Sequence, residues 1–232
     1  MPGLLPQPDP NGLLEYSVVF TDRSLNHMSA SFQEVMRGLS ATLKSVYAAD
    51  AVVVVPGGGT FGMEAVARQF ADAKDVLVLR NGWFSYRWSQ ILEHAGIASS
   101  ETVLQAHRLE QSPTAAFAPA PIESVVAHIE QHKPGVVFAP HVETSAGMLL
   151  PDDYVAAVGA ATREVGGLFV LDCIASGALW VDMSKLNVDV LISAPQKGWS
   201  GTPCAAQVML SDRAVDRLAD TRNTSFAADL AK

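Results

Sequence analysis

Four polar segments of this chain follow short apolar runs directly, and each offers a distinct chemistry. In PGGGTFGMEA (residues 56–65) the glycines let backbone approach a ligand closely. The helical pattern after them presents unpaired N–H groups and the positive end of a dipole, which together make a phosphate cradle. A tight strand-to-helix turn accounts for the same glycines. No Gly-Lys-Ser/Thr follows, so this is not a Walker loop. Gly57, Gly59 and Gly62 fit one GxGxxG frame, but the next apolar run ends in Arg80, where a dinucleotide site needs an acid. In LFVLDCIASG, Asp172 closes an apolar run, where a carboxylate must be solvated, cap a helix or meet a cation. In VDVLISAPQKGWSGTP, Lys197 sits among Pro, Gly, Trp and small residues. Desolvation there lowers an ammonium's pKa, the property of a Schiff-base lysine, although a surface lysine is the alternative. In FAPHVETSAGMLLP, His141, Glu143, Thr144 and Ser145 suggest a metal site or a Ser/His pair. No second His stands at helical ligand spacing and no GxSxG elbow is present, so no metal is expected.

The elements that must position these residues are legible from periodicity. Apolar positions at Phe32, Val35, Met36, Leu39 and Leu43 predict a helix over 31–47. Strands are expected at 51–55, 76–79, 136–139, 168–171 and 188–192, with helices at 61–70, 86–94, 122–132 and 153–165 between them. The β-branched run 51–55 suits a strand buried on both faces. Alternation of strand and helix implies an α/β fold, a mostly parallel central sheet with helices on both faces. A last run, 206–210, is placed to pair antiparallel at or near an edge, and 98–121 reads as an irregular surface excursion. With 49% hydrophobic residues among 232, the chain can fill one sizeable core. A net charge of −8 without a Lys/Arg cluster argues against nucleic acid or an anionic membrane as partner. The two cysteines, Cys173 and Cys204, lie far apart, and residues 1–16 have no leader pattern, so a reduced cytoplasmic setting is expected.

Taken together, the four segments suit one ligand. A phosphate-bearing pyridine aldehyde needs a helix cradle, an acid at its ring nitrogen, an amine for its aldehyde and an aromatic face over its ring. The ordered set GGGT…ME, NGWFSYR, HVETSAGMLLP, LDCIASG and SAPQKGW resembles the class V aminotransferases, fold type I enzymes that use pyridoxal 5'-phosphate (PLP). It is most similar to the alanine–glyoxylate and serine–glyoxylate group, from about residue 20 onward. The resemblance implies an N-terminal arm over 1–19 and a PLP-binding large domain over 20–232, with the family's C-terminal small domain absent from this chain. It implies that Lys197 forms the Schiff base and then moves the substrate proton, while Asp172 bonds the pyridinium nitrogen. Gly58, Gly59 and Thr60 would hold the phosphate, with Gln196 as a further contact. Phe84 would stack on the ring, with a core phenylalanine beside Trp83 as the other reading, and Thr144 would reach the ring hydroxyl. Thr60 stands where relatives often have His.

The activity implied is a ping-pong transamination between a small amino acid, alanine or serine, and a small 2-oxo acid, glyoxylate or pyruvate, in a homodimer. In the family the arginine for the substrate carboxylate comes from the small domain; Arg23 and Arg87 are better explained by surface salt bridges. Three alternatives stand beside this reading. A cysteine desulfurase usually has His where Gln196 stands, and Cys204 follows Lys197 by only seven positions. Phosphonate and phosphoserine aminotransferases share the motifs. A non-catalytic remnant or dimerisation module would keep the fold without binding PLP.

Overall fold

The computed structural model describes residues 29–232; the arm expected at 1–19, and Arg23, lie outside the described residues. Helix α1 (Ala30–Tyr47) begins where Ser29 Oγ accepts the Phe32 N–H at 3.1 Å, and its apolar stripe buries Leu43 and Tyr47. There follow β1 (Ala51–Pro56), α2 (Gly59–Phe70), β2 (Asp75–Arg80), α3 (Tyr86–Ala95) and β3 (Ser100–Gln105). A small hairpin of β4 (His107–Arg108) and β5 (Phe117–Ala118) leads to α4 (Ile122–His132) and β6 (Val136–Pro140). Strands β7 (Val142–Glu143) and β8 (Met148–Leu149) flank a 3₁₀ turn at Thr144–Ala146. Helix α5 (Asp152–Glu164), β9 (Leu168–Asp172), β10 (Val190–Ser193), β11 (Ala205–Leu210) and α6 (Asp212–Asp220) complete the chain.

Seven strands form one sheet in the order β1-β11-β10-β9-β6-β2-β3. The neighbours from β10 through β3 run parallel, while β11 is antiparallel to both β10 and β1. The expected α/β architecture is what the chain adopts, and 206–210 pairs antiparallel next to an edge, as its position implied. Two expectations are corrected. Strand β1 is the edge itself, and most of it is only half-buried. Its valines are apolar because α1 and α2 both pack on it, and a periodicity signal reports covered faces rather than neighbouring strands. The stretch 98–121 is not wholly irregular, because 100–105 forms the opposite edge strand, parallel to β2. The SETVLQ segment hid it: one edge of the strand and most of its side chains face water, so the apolar run is missing.

Side chains alternate across the sheet and feed two cores. Val76, Val78, Val136, Phe138, Val170 and Ile192 pack with α2, α3 and α6 on one face. Leu77, Leu79, Val137, Phe169, Leu171 and Leu191 pack with α1, α4 and α5 on the other. Each such fully buried side chain contributes about 1.5–3 kcal/mol relative to exposure. At the N-terminal ends of the strands, buried Asp189 is held by Arg213 Nη1 at 2.8 and 2.9 Å and accepts the Phe169 N–H. No described helix is long and apolar enough to cross a membrane.

Candidate active site

The parallel strands end level with one another, and the polar residues gather there. Asp172 is the last residue of β9, in register with Pro140 at the end of β6 and with Ile192 of β10. The turn after β10, closed by Lys197 N–H to Ala194 O at 3.2 Å, brings Lys197 to the same rim. From the antiparallel side, β1 delivers the N-terminus of α2. The chain turns at Gly57, whose φ of 119° disfavours any residue with a side chain, while its N–H bonds to Cys204 O at 2.9 Å. Gly59 is buried against Ile174, and a Cβ there would collide with that side chain.

Between these elements lies a cavity of about 250 Å³ lined by Gly59, Thr60, Phe84, Thr144, Asp172, Gln196 and Lys197, with Met63, Arg87 and Ile174 among the others. Seven of the eight residues singled out from the sequence therefore meet at one place. The eighth, Gly58, is the extended N-cap of α2, just behind Gly59. A larger hollow of about 490 Å³ beside it, lined by Arg80, Asn81, Trp83, Tyr86 and Phe117, shares none of these residues.

Asp172 is buried, and its Oδ1 accepts the Ile174 N–H at 2.9 Å, so it closes a tight turn rather than capping a helix. Burial pushes its carboxyl up to about 6 against the pull of that amide; Glu143 adds repulsion, and Arg87 and Lys197 draw it back down. Gln196 Oε1 is buried with no hydrogen-bond partner among the described residues. Lys197 is exposed, which corrects the expectation that its apolar sequence neighbours desolvate it. Trp199 turns away: its ring packs on Trp180 at 4.7 Å and its Nε1 bonds to Tyr47 Oη at 3.3 Å, so it leaves the lysine at the cavity mouth. Phe84 is 48% exposed and Trp83 62%, so the core-phenylalanine reading fails.

Two further residues matter, and the sequence did not assign them these parts. Glu143 is 1% exposed and sits beneath the loop that carries Phe84. Its Oε1 accepts from Phe84 N at 3.1 Å, Ser145 N at 3.3 Å and Ser145 Oγ at 2.6 Å; its Oε2 accepts from Ser85 N at 2.8 Å and Ser85 Oγ at 2.7 Å. Burial alone would raise its pKa, but the Ser145 and Ser85 hydroxyls and the two amides of Phe84 and Ser85 outweigh it and hold the carboxyl low. It is a clamp that ties Phe84 and Ser85 to Ser145. Among the described residues no group of three or more His, Cys, Asp and Glu is placed to hold a metal ion. His141 Nδ1 meets Ser176 Oγ at 2.8 Å, not Ser145, and burial lowers its pKa while Asp152 pulls it up. Arg87 was expected in a surface salt bridge. It lines the cavity instead, donating from Nη1 to Thr60 Oγ1 at 3.0 Å, with no carboxylate in ion-pair range among the described residues.

An open α/β sheet with a cavity at the carboxyl ends of its parallel strands is the layout of the α/β class, in which ligands gather at such strand ends. Comparison with known families narrows this: residues 13–222 match aminotransferase class-V, and the chain belongs to that family. It is 33% identical over 216 residues to 2-aminoethylphosphonate–pyruvate transaminase 2 of Paraburkholderia xenovorans, covering 90% of this chain and 54% of that protein. Among solved structures it is similar to ureidoglycine–glyoxylate aminotransferase of Bacillus subtilis (TM-score 0.77, 25% identity, 89% of this chain and 52% of that one). It is also similar to alanine–glyoxylate aminotransferase of Nostoc sp. (TM-score 0.75, 25% identity, 89% and 53%). The chain thus spans about half the length of the curated relatives it matches.

Proposed function

We propose that residues 20–232 form the PLP-binding part of an aminotransferase that moves an amino group between a small amino acid and a small 2-oxo acid. The observation that carries this reading is the shared cavity: Asp172 and Lys197 line it together with the first turn of α2. PLP supplies an aldehyde that condenses with amines and a pyridinium ring that takes up the electron pair left at a substrate's Cα.

The residues fit that group. The Gly59 and Thr60 amides at the start of α2 have no acceptor among the described residues and are free to bind an oxyanion, whereas the Phe61 N–H already bonds to Gly58 O at 2.9 Å. The unpartnered Gln196 amide lines the same cavity, and with its O and N exchanged it offers N–H groups to a phosphate. Asp172, pushed up to about 6 by burial, gains a cationic partner when a ring N–H faces it, and that contact draws it toward the ionised form.

Each residue then has a task. Lys197 would hold the cofactor through its aldehyde carbon and, as a free amine, would move the proton between the substrate's Cα and that cofactor carbon. Asp172 would keep the ring nitrogen protonated. Gly58, Gly59, Thr60 and Gln196 would hold the phosphate. Phe84 would cover one face of the ring and exclude water from it, and Thr144 would bond the ring hydroxyl. The exposed position of Lys197 suits an amine that must swing between two partners. Exposed Phe61, Trp83 and Phe84 support a homodimer. The two cysteines, both unpaired, support a reduced, cytoplasmic setting.

Alanine or serine as donor and glyoxylate or pyruvate as acceptor remain the first substrates to try. A second donor class, 2-aminoethylphosphonate with pyruvate as acceptor, is favoured by the names of the 33%-identical relatives. Titration with PLP tests the reading: a saturable visible absorbance band is expected from the wild type and not from Lys197→Ala. Absence of the band in the wild type, with PLP in excess, would leave the remnant reading standing.

A further inference from the structure

The cavity lining contains two cations, Lys197 and Arg87, and only the first has a task so far. Arg87 lies in the first turn of α3, half-buried, and its guanidinium is aimed across the cavity at the first turn of α2. There Nη1 donates to Thr60 Oγ1 at 3.0 Å. A guanidinium carries five N–H donors, and no carboxylate among the described residues engages the others in an ion pair. Because Thr60 Oγ1 accepts from Arg87, its own hydroxyl hydrogen is free to point at a third group. That group must be an acceptor, and it must lie beside the helix N-terminus.

Charge points the same way. A phosphate monoester carries about −1.5 to −2 near neutral pH, and a helix N-terminus offsets only about half a unit. Lys197, engaged by the aldehyde, is spoken for at the other end of the ligand. Arg87 is the remaining positive charge in the lining. We propose that Arg87 is a direct ligand of the cofactor's phosphate, completing with Thr60 the cradle begun by Gly58 and Gly59. This rests on the PLP reading above and adds to it a residue that sequence reasoning had left on the surface. Recognition of an anionic substrate group by Arg87 is the competing outcome.

Paired titrations with PLP and with pyridoxal, which lacks the phosphate, distinguish the possibilities. The wild type should bind PLP far more tightly than pyridoxal. Arg87→Gln should weaken PLP by about 10- to 100-fold, the range for one charge-assisted hydrogen-bonded contact, and change pyridoxal less than about threefold. Arg87→Lys, which keeps the charge but not the planar fork, should recover part of the loss. Unchanged pyridoxal binding also reports that the variant is folded. A PLP-to-pyridoxal preference that survives Arg87→Gln, or an equal loss for both ligands, overturns the inference. Wild type that binds neither ligand overturns the PLP reading itself. Should Arg87→Gln not fold, the wild type carries the test: PLP should protect Arg87 from phenylglyoxal, read by peptide mass, and pyridoxal should not. Equal protection by both refutes the phosphate contact.

Discussion

Replacing Glu143 by Gln changes one oxygen to an NH₂ group beneath the Phe84 loop, and the surroundings leave no orientation that satisfies it. If the amide nitrogen takes the Oε2 position, it faces the Ser85 N–H, a donor that now bonds at 2.8 Å. The Ser85 hydroxyl offers no relief, because its Oγ already accepts the Asn81 and Gly82 amides at 2.9 and 3.1 Å. The opposite orientation sets the nitrogen against the Phe84 and Ser145 amides instead. One buried donor left facing another costs about 1–3 kcal/mol, and the remaining bonds lose their charge-assisted strength. A destabilisation of about 2–4 kcal/mol follows, or about 5–15 °C in Tm for a chain of this size. Urea denaturation at pH 7 measures it. Glu143 has its folded pKa held below the unfolded value, so its contribution is present above about pH 4.3 and is lost as pH falls through the folded pKa. The gap between wild type and variant should therefore narrow in acid. A difference under about 0.5 kcal/mol at pH 7, or one that persists unchanged at pH 3, refutes the clamp.

Asp172→Asn should stabilise the cofactor-free protein by about 1–3 kcal/mol at pH 7. A carboxyl pushed up to about 6 favours folding below its unfolded pKa, and that advantage is lost as pH rises through 6, so the two proteins should converge near pH 4 in the same denaturation assay. The same variant should bind PLP more weakly, seen by spectral titration, because the ring nitrogen loses its anion. Arg213→Ala should cost about 2–4 kcal/mol in urea denaturation by leaving buried Asp189 short of its main partner, without altering PLP affinity, since the pair lies at the far ends of the strands. Gly59→Ala should weaken PLP binding about tenfold in spectral titration, because the added methyl displaces the end of the Ile174 side chain, which lines the same cavity.

Much of the fold was legible because amphipathic segments announce themselves: α4 occupies the residues its apolar spacing marked, and α3 extends one residue further. Strand β3 was hidden because an edge strand with polar side chains has no apolar signature, and the valines of β1 imply fuller burial than an edge strand flanked by two helices attains. At the site, Asp172 and Lys197 stood out by following apolar strands, where polar residues must find a use, while Gln196 came only with the family resemblance. Glu143 and Arg87 could not be assigned from sequence because their partners are distant in the chain: 27 residues separate Arg87 from Thr60, and 58 separate Glu143 from Ser85. The exposure of Lys197 was equally invisible, since it depends on Trp199 packing toward Tyr47 and Trp180 rather than over the amine.

Central to the whole reading is that one amine of this chain, and not another, captures the cofactor. Incubation with PLP, reduction with borohydride and peptide mapping by mass spectrometry puts this to trial directly. A single pyridoxyl group on Lys197 is expected, at near-stoichiometric yield and suppressed in Asp172→Ala. Label spread over surface lysines, or fixed at Lys185 or Lys74 with Lys197 unmodified, would contradict it.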